Sequence, residues 1–372
     1  MLGENHKMKI TDVNLEIYRW PRPRPIRNGR YTYPTVALSV VQIETDEGIT
    51  GYGYIGGDNE GDTAKPGILD FMKGFVIGQD PFLNEKIWDE MWQPKLVGRR
   101  GISTRVISGI DIALWDIKGK ASGQPVYKLL GGFTNKIPVY IAGGYYEEGK
   151  GLNELSKEMG SALDTGAKAV KMKIGGVPIN EDVERIRVVR ETIGPDIKLL
   201  MDANCAYTFY EAINIARKVE KYDVYWFEEP VNPDDYEGHR LISAATSIPV
   251  ATGENEYTRY GFRDLINNRC AAIIQPDALI MGGVTEFMKV AALAQSQDLP
   301  IAPHGKQEVH VHLVSAIPNG LILEYYAQAF DPMWGNVYEE TLDLSNGHTS
   351  PPERPGFGFT PNKEFLKKYR VA

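Results

Sequence analysis

Ala169-Val170-Lys171-Met172-Lys173, Lys198-Leu199-Leu200-Met201-Asp202 and Val224-Tyr225-Trp226-Phe227-Glu228 are three short, mainly apolar runs that each end on a charged side chain. Five more of the same kind surround them: Pro138–Ala142, Pro249–Thr252, Ala271–Gln275, Leu299–Pro303 and Leu321–Glu324. The runs recur about every 22 to 30 residues, and the segments between them have helical periodicity. At or just past seven of the ends stand Lys171 and Lys173, Asp202, Glu228, Glu254, Asp277, His304 and Glu324. Eight β-then-α periods predict a closed parallel barrel. Such barrels gather their chemistry at the C-terminal ends of several strands at once.

Upstream of the barrel, Met8–Val13 begins a strand, Thr35–Glu44 reads as a second and Ile49–Ile55 as a third, joined by the turn Asp46-Glu47-Gly48. Helical patterns follow at Pro66–Ile77, Glu85–Gln93 and Arg105–Gly119. The expected organisation is an α+β domain over 1–130, the barrel over 131–326, and an irregular C-terminal segment over 327–372 packed on the first domain. Gly51-Tyr52-Gly53-Tyr54-Ile55-Gly56 has dinucleotide-fingerprint spacing, but Gly57–Asp62 is polar and opens no helix, so it reads as a strand leading into a loop. The net charge of −8 argues against a nucleic-acid partner. Two cysteines, Cys205 and Cys270, suit a reducing cytoplasm better than a disulfide framework. No apolar stretch reaches the about 18 residues that would span a bilayer, and Met1–Lys9 does not read as a secretory signal.

Asp202, Glu228 and Glu254 close successive runs, so a barrel brings them together at its rim. One such acid is more often a helix cap; three together repel unless a cation neutralises them, and hard oxygen ligands suit Mg²⁺. Strand alternation points Lys171 and Lys173 to one face, where each is expected to lower the other's pKa and make a base usable near neutral pH. Asp277 and His304 close neighbouring runs, as a carboxylate that fixes the tautomer of an imidazole base would. Glu324, in Leu-Ile-Leu-Glu-Tyr, is expected to stay protonated and donate a hydrogen bond. His310 and His312 are two apart on a helix and do not make a metal pair. Arg19, Arg22, Arg24, Arg27 and Arg30, followed by Tyr31 and Tyr33, surround prolines at 21, 23 and 25. That segment reads as a loop, either a solvated face or a flap over an anionic substrate.

Lys171-Met172-Lys173, Met201-Asp202-Ala203-Asn204, Phe227-Glu228-Glu229-Pro230, Gly253-Glu254-Asn255, Gln275-Pro276-Asp277, His304 and Glu324 resemble, in order and spacing, the motifs of the enolase superfamily, mandelate racemase subgroup. Gly109-Ile110-Asp111-Ile112-Ala113-Leu114-Trp115-Asp116 is similar to a helix of that subgroup's capping domain. The resemblance implies an α/β fold, a modified TIM (β/α) barrel with an N-terminal α+β capping domain. It implies Mg²⁺ on Asp202, Glu228 and Glu254, and Lys173 and the His304–Asp277 dyad as acid/bases on opposite faces of the substrate. Lys171 would tune Lys173 or touch the substrate carboxylate. Glu324 would donate to the ene-diolate, and Asn204 would lie near the α-hydroxyl. Tyr33, Tyr54 and Arg30 are further expected substrate contacts.

The implied chemistry is abstraction of the proton α to a carboxylate, in a small-molecule acid. An arginine- and tyrosine-rich flap suits a polyhydroxylated anion, which favours dehydration of a sugar acid to a 2-keto-3-deoxy acid. Racemisation of an α-hydroxy acid and cycloisomerisation of a sugar-acid lactone are the alternatives, and a non-catalytic sugar-acid-binding protein is a remote one. The chain is further expected to be a cytoplasmic homo-oligomer with no membrane partner.

Overall fold

The computed structural model describes residues 7–57, 62–93, 95, 98–326 and 331–372. Outside them lie 1–6, part of the start read as having no secretory signal, 58–61 of the polar stretch after Gly57, and 327–330 of the C-terminal tail. The chain opens with a three-stranded antiparallel sheet in the order β1 (Ile10–Arg27), β2 (Thr32–Thr45), β3 (Thr50–Ile55). Helices α1 (Lys65–Val76), α2 (Asn84–Met91) and α3 (Ile102–Ala121) follow. Apolar side chains of both layers, among them Val41, Ile43, Ile107 and Leu114, form one buried core. The glycines of the fingerprint-like stretch serve this packing: a Cβ on Gly53 would lie 1.8 Å from the Gly109 carbonyl oxygen of α3.

The proline-rich segment read as a loop is instead strand. β1 runs on to Arg27 and pairs with β2 as far as Arg27 opposite Thr32. β1 is the edge strand of its sheet, met on its outer side by isolated bridges at Tyr18 and Arg27, so proline is tolerated there, and the ladder is irregular between Pro21 and Ile26. The hairpin tip turns on Asn28, whose Oδ1 accepts from the backbone of Arg30 and Tyr31 at 2.8 and 2.7 Å. Gly29 lets that tip sit on the barrel rim, since a Cβ there would meet the Ala203 and Ile174 carbonyl oxygens at 2.6 and 2.9 Å. Arg27 and Tyr146 exchange two backbone hydrogen bonds of 2.9 and 2.8 Å, tying the hairpin to the barrel.

The barrel strands are β4 (Ile137–Gly143), β5 (Ala169–Lys173), β6 (Lys198–Asp202), β7 (Val224–Glu228), β8 (Val250–Thr252), β9 (Ile273–Ile274) and β10 (Leu323–Tyr326), parallel throughout, with β10 beside β4. The run Leu299–Pro303 is not a strand. Pro300 and Pro303 have no N–H to donate, and pairing there reduces to Ile301, which bridges Ile274 and Gly320 and completes the ring. Inward side chains Tyr140, Ala169, Leu200, Trp226, Ala251 and Ala302 fill one interior layer. Outward ones such as Val170, Met172, Leu199 and Phe227 join the larger core around the barrel. After β10 the chain adds β11 (His348–Thr349) antiparallel to β4, and Val371 N–H donates to the Ile17 carbonyl at 2.8 Å. Among the described residues no helix is long and apolar enough to cross a membrane.

Candidate active site

Register brings the charged strand ends together. Lys173 pairs with Asp202 across β5 and β6, and Asp202 pairs with Glu228 across β6 and β7. Alternation turns Lys171, Lys173, Asp202 and Glu228 to the barrel interior, above the apolar layer. Glu254 lies two residues past β8 and Asp277 three past β9. His304 follows the Ile301 bridge, on the rim. Glu324 is not a strand end as expected, because β10 continues to Tyr326. A cavity of about 530 Å³ opens over this rim, and Lys173, Asn204, Glu254, Asp277 and His304 line it.

One oxygen from each of Asp202, Glu228 and Glu254 lies within 4.8 Å of the others, and all three residues are buried. Lys173 Nζ is 2.5 Å from Asp202 Oδ2. Lys171 Nζ is 2.6 Å from Glu228 Oε1, 2.7 Å from Glu324 Oε1 and 3.5 Å from Asp202 Oδ2. Trp226 Nε1 donates to Glu228 Oε2 at 2.9 Å. His304 Nδ1 is 3.0 Å from Asp277 Oδ2, which leaves Nε2 3.7 Å from Glu254 Oε1. Asn204, in a left-handed backbone conformation at φ 43°, donates its N–H to Asp202 Oδ1 at 2.8 Å.

The electrostatics correct two expectations. Burial works to lower both lysines, but carboxylates outweigh it: Glu228 and Glu324 hold Lys171 well above the usual range, and Asp202 raises Lys173. The repulsion between the lysines is the smaller effect. Glu324 is likewise not a protonated donor. Burial works to raise it, yet Lys171, His304 and Lys173 bring it down to about 2, and its Oε2 accepts the Gly305 N–H at 2.8 Å. His304 is raised well above its ordinary value, because Glu254, Asp277 and Glu324 overcome burial.

The carboxylate trio fits a divalent cation. Burial, together with Asp202, Glu324 and Glu254 and against Lys171, pushes Glu228 up to about 8, the signature of acids crowded beyond what the lysines neutralise. Glu254 Oε2 is buried and has no hydrogen-bond partner among the described residues. A cation held by Asp202, Glu228 and Glu254 would supply the positive charge that this cluster lacks.

Of the remaining expected contacts, Tyr33 and Tyr54 line the cavity. Arg30 does not; it donates to the Cys205 carbonyl at 3.3 Å from the exposed hairpin tip. His310 Nε2 accepts from Ala278 N–H at 3.0 Å and His312 Nδ1 from Tyr127 N–H at 3.3 Å, so the two histidines face different neighbours. Lys306 and Glu308 line the cavity too and were not singled out from the sequence. The available signal was two unlike charges entering Gln307–Ala316, a helix whose every residue is buried.

Two family models match: "Mandelate racemase / muconate lactonizing enzyme, N-terminal domain" over residues 10–131, and "Enolase C-terminal domain-like" over 154–365. The chain is 36% identical over 339 residues to arabinonate dehydratase of Saccharolobus solfataricus, covering 90% of each chain. It is 34% identical over 366 residues to 3,6-anhydro-alpha-L-galactonate cycloisomerase of Streptomyces coelicolor, covering 98% of this chain and 100% of that one. Among solved structures it is similar to L-talarate/galactarate dehydratase from Salmonella typhimurium LT2 liganded with Mg and L-lyxarohydroxamate. There the TM-score is 0.92 with 30% identity, over 100% of this chain and 95% of that one. The chain belongs to the enolase superfamily, mandelate racemase subgroup.

Proposed function

We propose that this member of the superfamily is a Mg²⁺-dependent sugar-acid dehydratase, which removes the proton α to a carboxylate and then the β-hydroxyl as water. The observation that carries the reading is one cavity lined by both Lys173 and His304 beside Glu254, with Asp202 and Glu228 buried against Lys173 and Lys171. The dehydratase relatives, one of them solved with Mg, support it.

Asp202, Glu228 and Glu254 would hold Mg²⁺. When bound, the ion supplies Lewis-acid stabilisation of the negative charge that develops on the substrate carboxylate. Lys173 Nζ takes or returns the α-proton on one side of the substrate. His304 acts from the other through Nε2, because Asp277 accepts from Nδ1. The imidazolium then gives its proton to the departing β-hydroxyl, water leaves, and the enol product ketonises to a 2-keto-3-deoxy acid. Asn204, whose Oδ1 is buried without a partner among the described residues, orients the α-hydroxyl. Glu324, held below its ordinary range by Lys171, fixes Lys171 and accepts the Gly305 N–H.

A second reading, cycloisomerisation of a sugar-acid lactone, is favoured by the cycloisomerase relative of nearly equal identity and full coverage. A sugar-acid and lactone library, incubated with chelated and Mg²⁺-restored protein and scored for 2-keto-3-deoxy product, tests the main reading. Lactone opening without such a product selects the second. Full activity after exhaustive chelation would overturn the metal assignment in both.

A further inference from the structure

His304 is followed at Lys306 by a third lysine of the cavity, which the proposed chemistry does not use. Its side chain is 5% exposed. The ammonium lies over three aromatic faces, 3.9 Å from the Trp334 ring centre, 4.7 Å from Tyr54 and 4.8 Å from Tyr338. Such faces attract a cation but accept no conventional hydrogen bond. Its nearest carboxylate oxygen, Glu308 Oε2, is 3.8 Å away. Glu308 Oε1 is satisfied by Trp334 Nε1 at 3.1 Å. Lys306 Nζ and Glu308 Oε2 are both buried, and among the described residues neither has a hydrogen-bond partner. Groups of this polarity are rarely buried unpaired.

The separation defines what fits. At 3.8 Å the two atoms are too far apart to bond each other, yet closer than twice the roughly 2.8 Å of a hydrogen bond. A single oxygen can therefore reach both. It must accept from the ammonium and donate to the carboxylate, and a hydroxyl does both while a second carboxylate does only the first. Near the pair, Arg22 acts on Asp331, which holds Trp20 Nε1 at 3.0 Å.

We propose that Lys306 and Glu308 form the subsite for a hydroxyl of the substrate chain remote from the reacting carboxylate, which makes the protein selective for monocarboxylic aldonic acids over dicarboxylic aldaric acids. This rests on the sugar-acid reading of the neighbouring centre. It adds a charge-balanced pair that would meet a distal carboxylate with the negative charge of Glu308.

The test uses matched triplets: a five- or six-carbon aldonate, the aldarate of the same configuration, and the aldonate lacking its terminal hydroxyl. Binding is measured by calorimetry on the Mg²⁺-loaded Lys173→Ala protein, and α-proton exchange and turnover on the protein with Lys173 intact. The aldonate is expected to bind at least tenfold tighter than the aldarate and the deoxy compound. Lys306→Met should raise Kd and KM for the aldonate about tenfold with little change in kcat, and should bind the deoxy compound no worse than before. Glu308→Gln, nearly isosteric, should narrow the aldonate–aldarate gap. Unchanged discrimination in both variants, or a preference for aldarates in the unsubstituted subsite, overturns the inference. Exchange and turnover without these binding differences sink the subsite alone. Binding differences without exchange sink the proposed reaction and leave the subsite standing, and no binding by any triplet overturns both.

Discussion

Trp226→Phe removes one hydrogen-bond donor from beneath the carboxylate trio and keeps an aromatic ring in its place. Trp226 is fully buried, packs edge-on against Tyr140 with ring centres 5.2 Å apart, and donates to Glu228 Oε2 at 2.9 Å. Phenylalanine leaves that oxygen without its donor. A hydrogen bond to a charged acceptor contributes about 1.5–3 kcal/mol, which corresponds to about 10- to 160-fold in Mg²⁺ affinity if the bond orients the ligand. Packing is lost as well, since the smaller ring leaves a void in the interior layer, at about 1–3 kcal/mol of stability. The two effects separate by experiment. Calorimetric Mg²⁺ titration should show Kd raised by at least tenfold. Denaturant unfolding in chelator should show the loss of packing and of the hydrogen bond, and excess Mg²⁺ should restore about 1.4 kcal/mol less stability for each tenfold rise in Kd. Leu200→Ala is the control, since Leu200 is buried in the same layer and donates nothing to Glu228; it should lose stability and keep its Mg²⁺ affinity. A Trp226→Phe Kd within twofold of the starting protein would refute the reasoning.

Lys173→Ala and His304→Asn should each abolish solvent-deuterium exchange of the α-proton for one configuration of substrate and spare the other; exchange at the original rate in both variants removes the two-base assignment. Burial lowers Lys306 from 10.5 to about 8, so its folded pKa lies below its unfolded one and the buried charge opposes folding by about 3 kcal/mol below pH 8. Stability should therefore rise with pH between about 8 and 10.5 in the original protein relative to Lys306→Met, and a difference that stays constant across that range, read by denaturant unfolding, contradicts this. Glu308, Asp331 and the phenols of Tyr54 and Tyr338 face the same amine, and the paired comparison cancels most of their own titration. Trypsin should cut slowly at Arg19 and Arg27, the β1 arginines not followed by proline, even without ligand, because the hairpin is hydrogen-bonded strand tied to Tyr146; rapid cleavage there would restore the open-loop reading.

The barrel and the carboxylate trio were legible because strand alternation and register are short-range consequences of sequence. Asp202 and Glu228 close their strands, and pairing does the rest. Leu299–Pro303 misled because apolar composition resembles a strand while its prolines cannot complete a ladder. The segment around Pro21, Pro23 and Pro25 misled in the opposite sense, since edge position is a property of the sheet and not of the residues in it. The charge states of Lys171 and Glu324 were misread because each depends on the other across the barrel interior, 2.7 Å apart. Lys306 escaped notice because its cage is assembled from Tyr54, Trp334 and Tyr338, far apart in the chain.

The Lys171–Glu324 pair joins β5 to β10 over the intervening β4, so it links the second β/α unit to the last. Pairings this distant in sequence are slow to form, because the loop-closure entropy falls due before the contact rewards it. A nascent or half-refolded chain can hold Asp202 and Glu228 side by side on adjacent strands while Lys171 still lacks its second carboxylate. The ion pair thus acts as a clasp that shuts only when the ring does. Recovery of the complete charge pattern in a refolding experiment becomes a clock for the final assembly step, readable apart from the earlier return of helical signal.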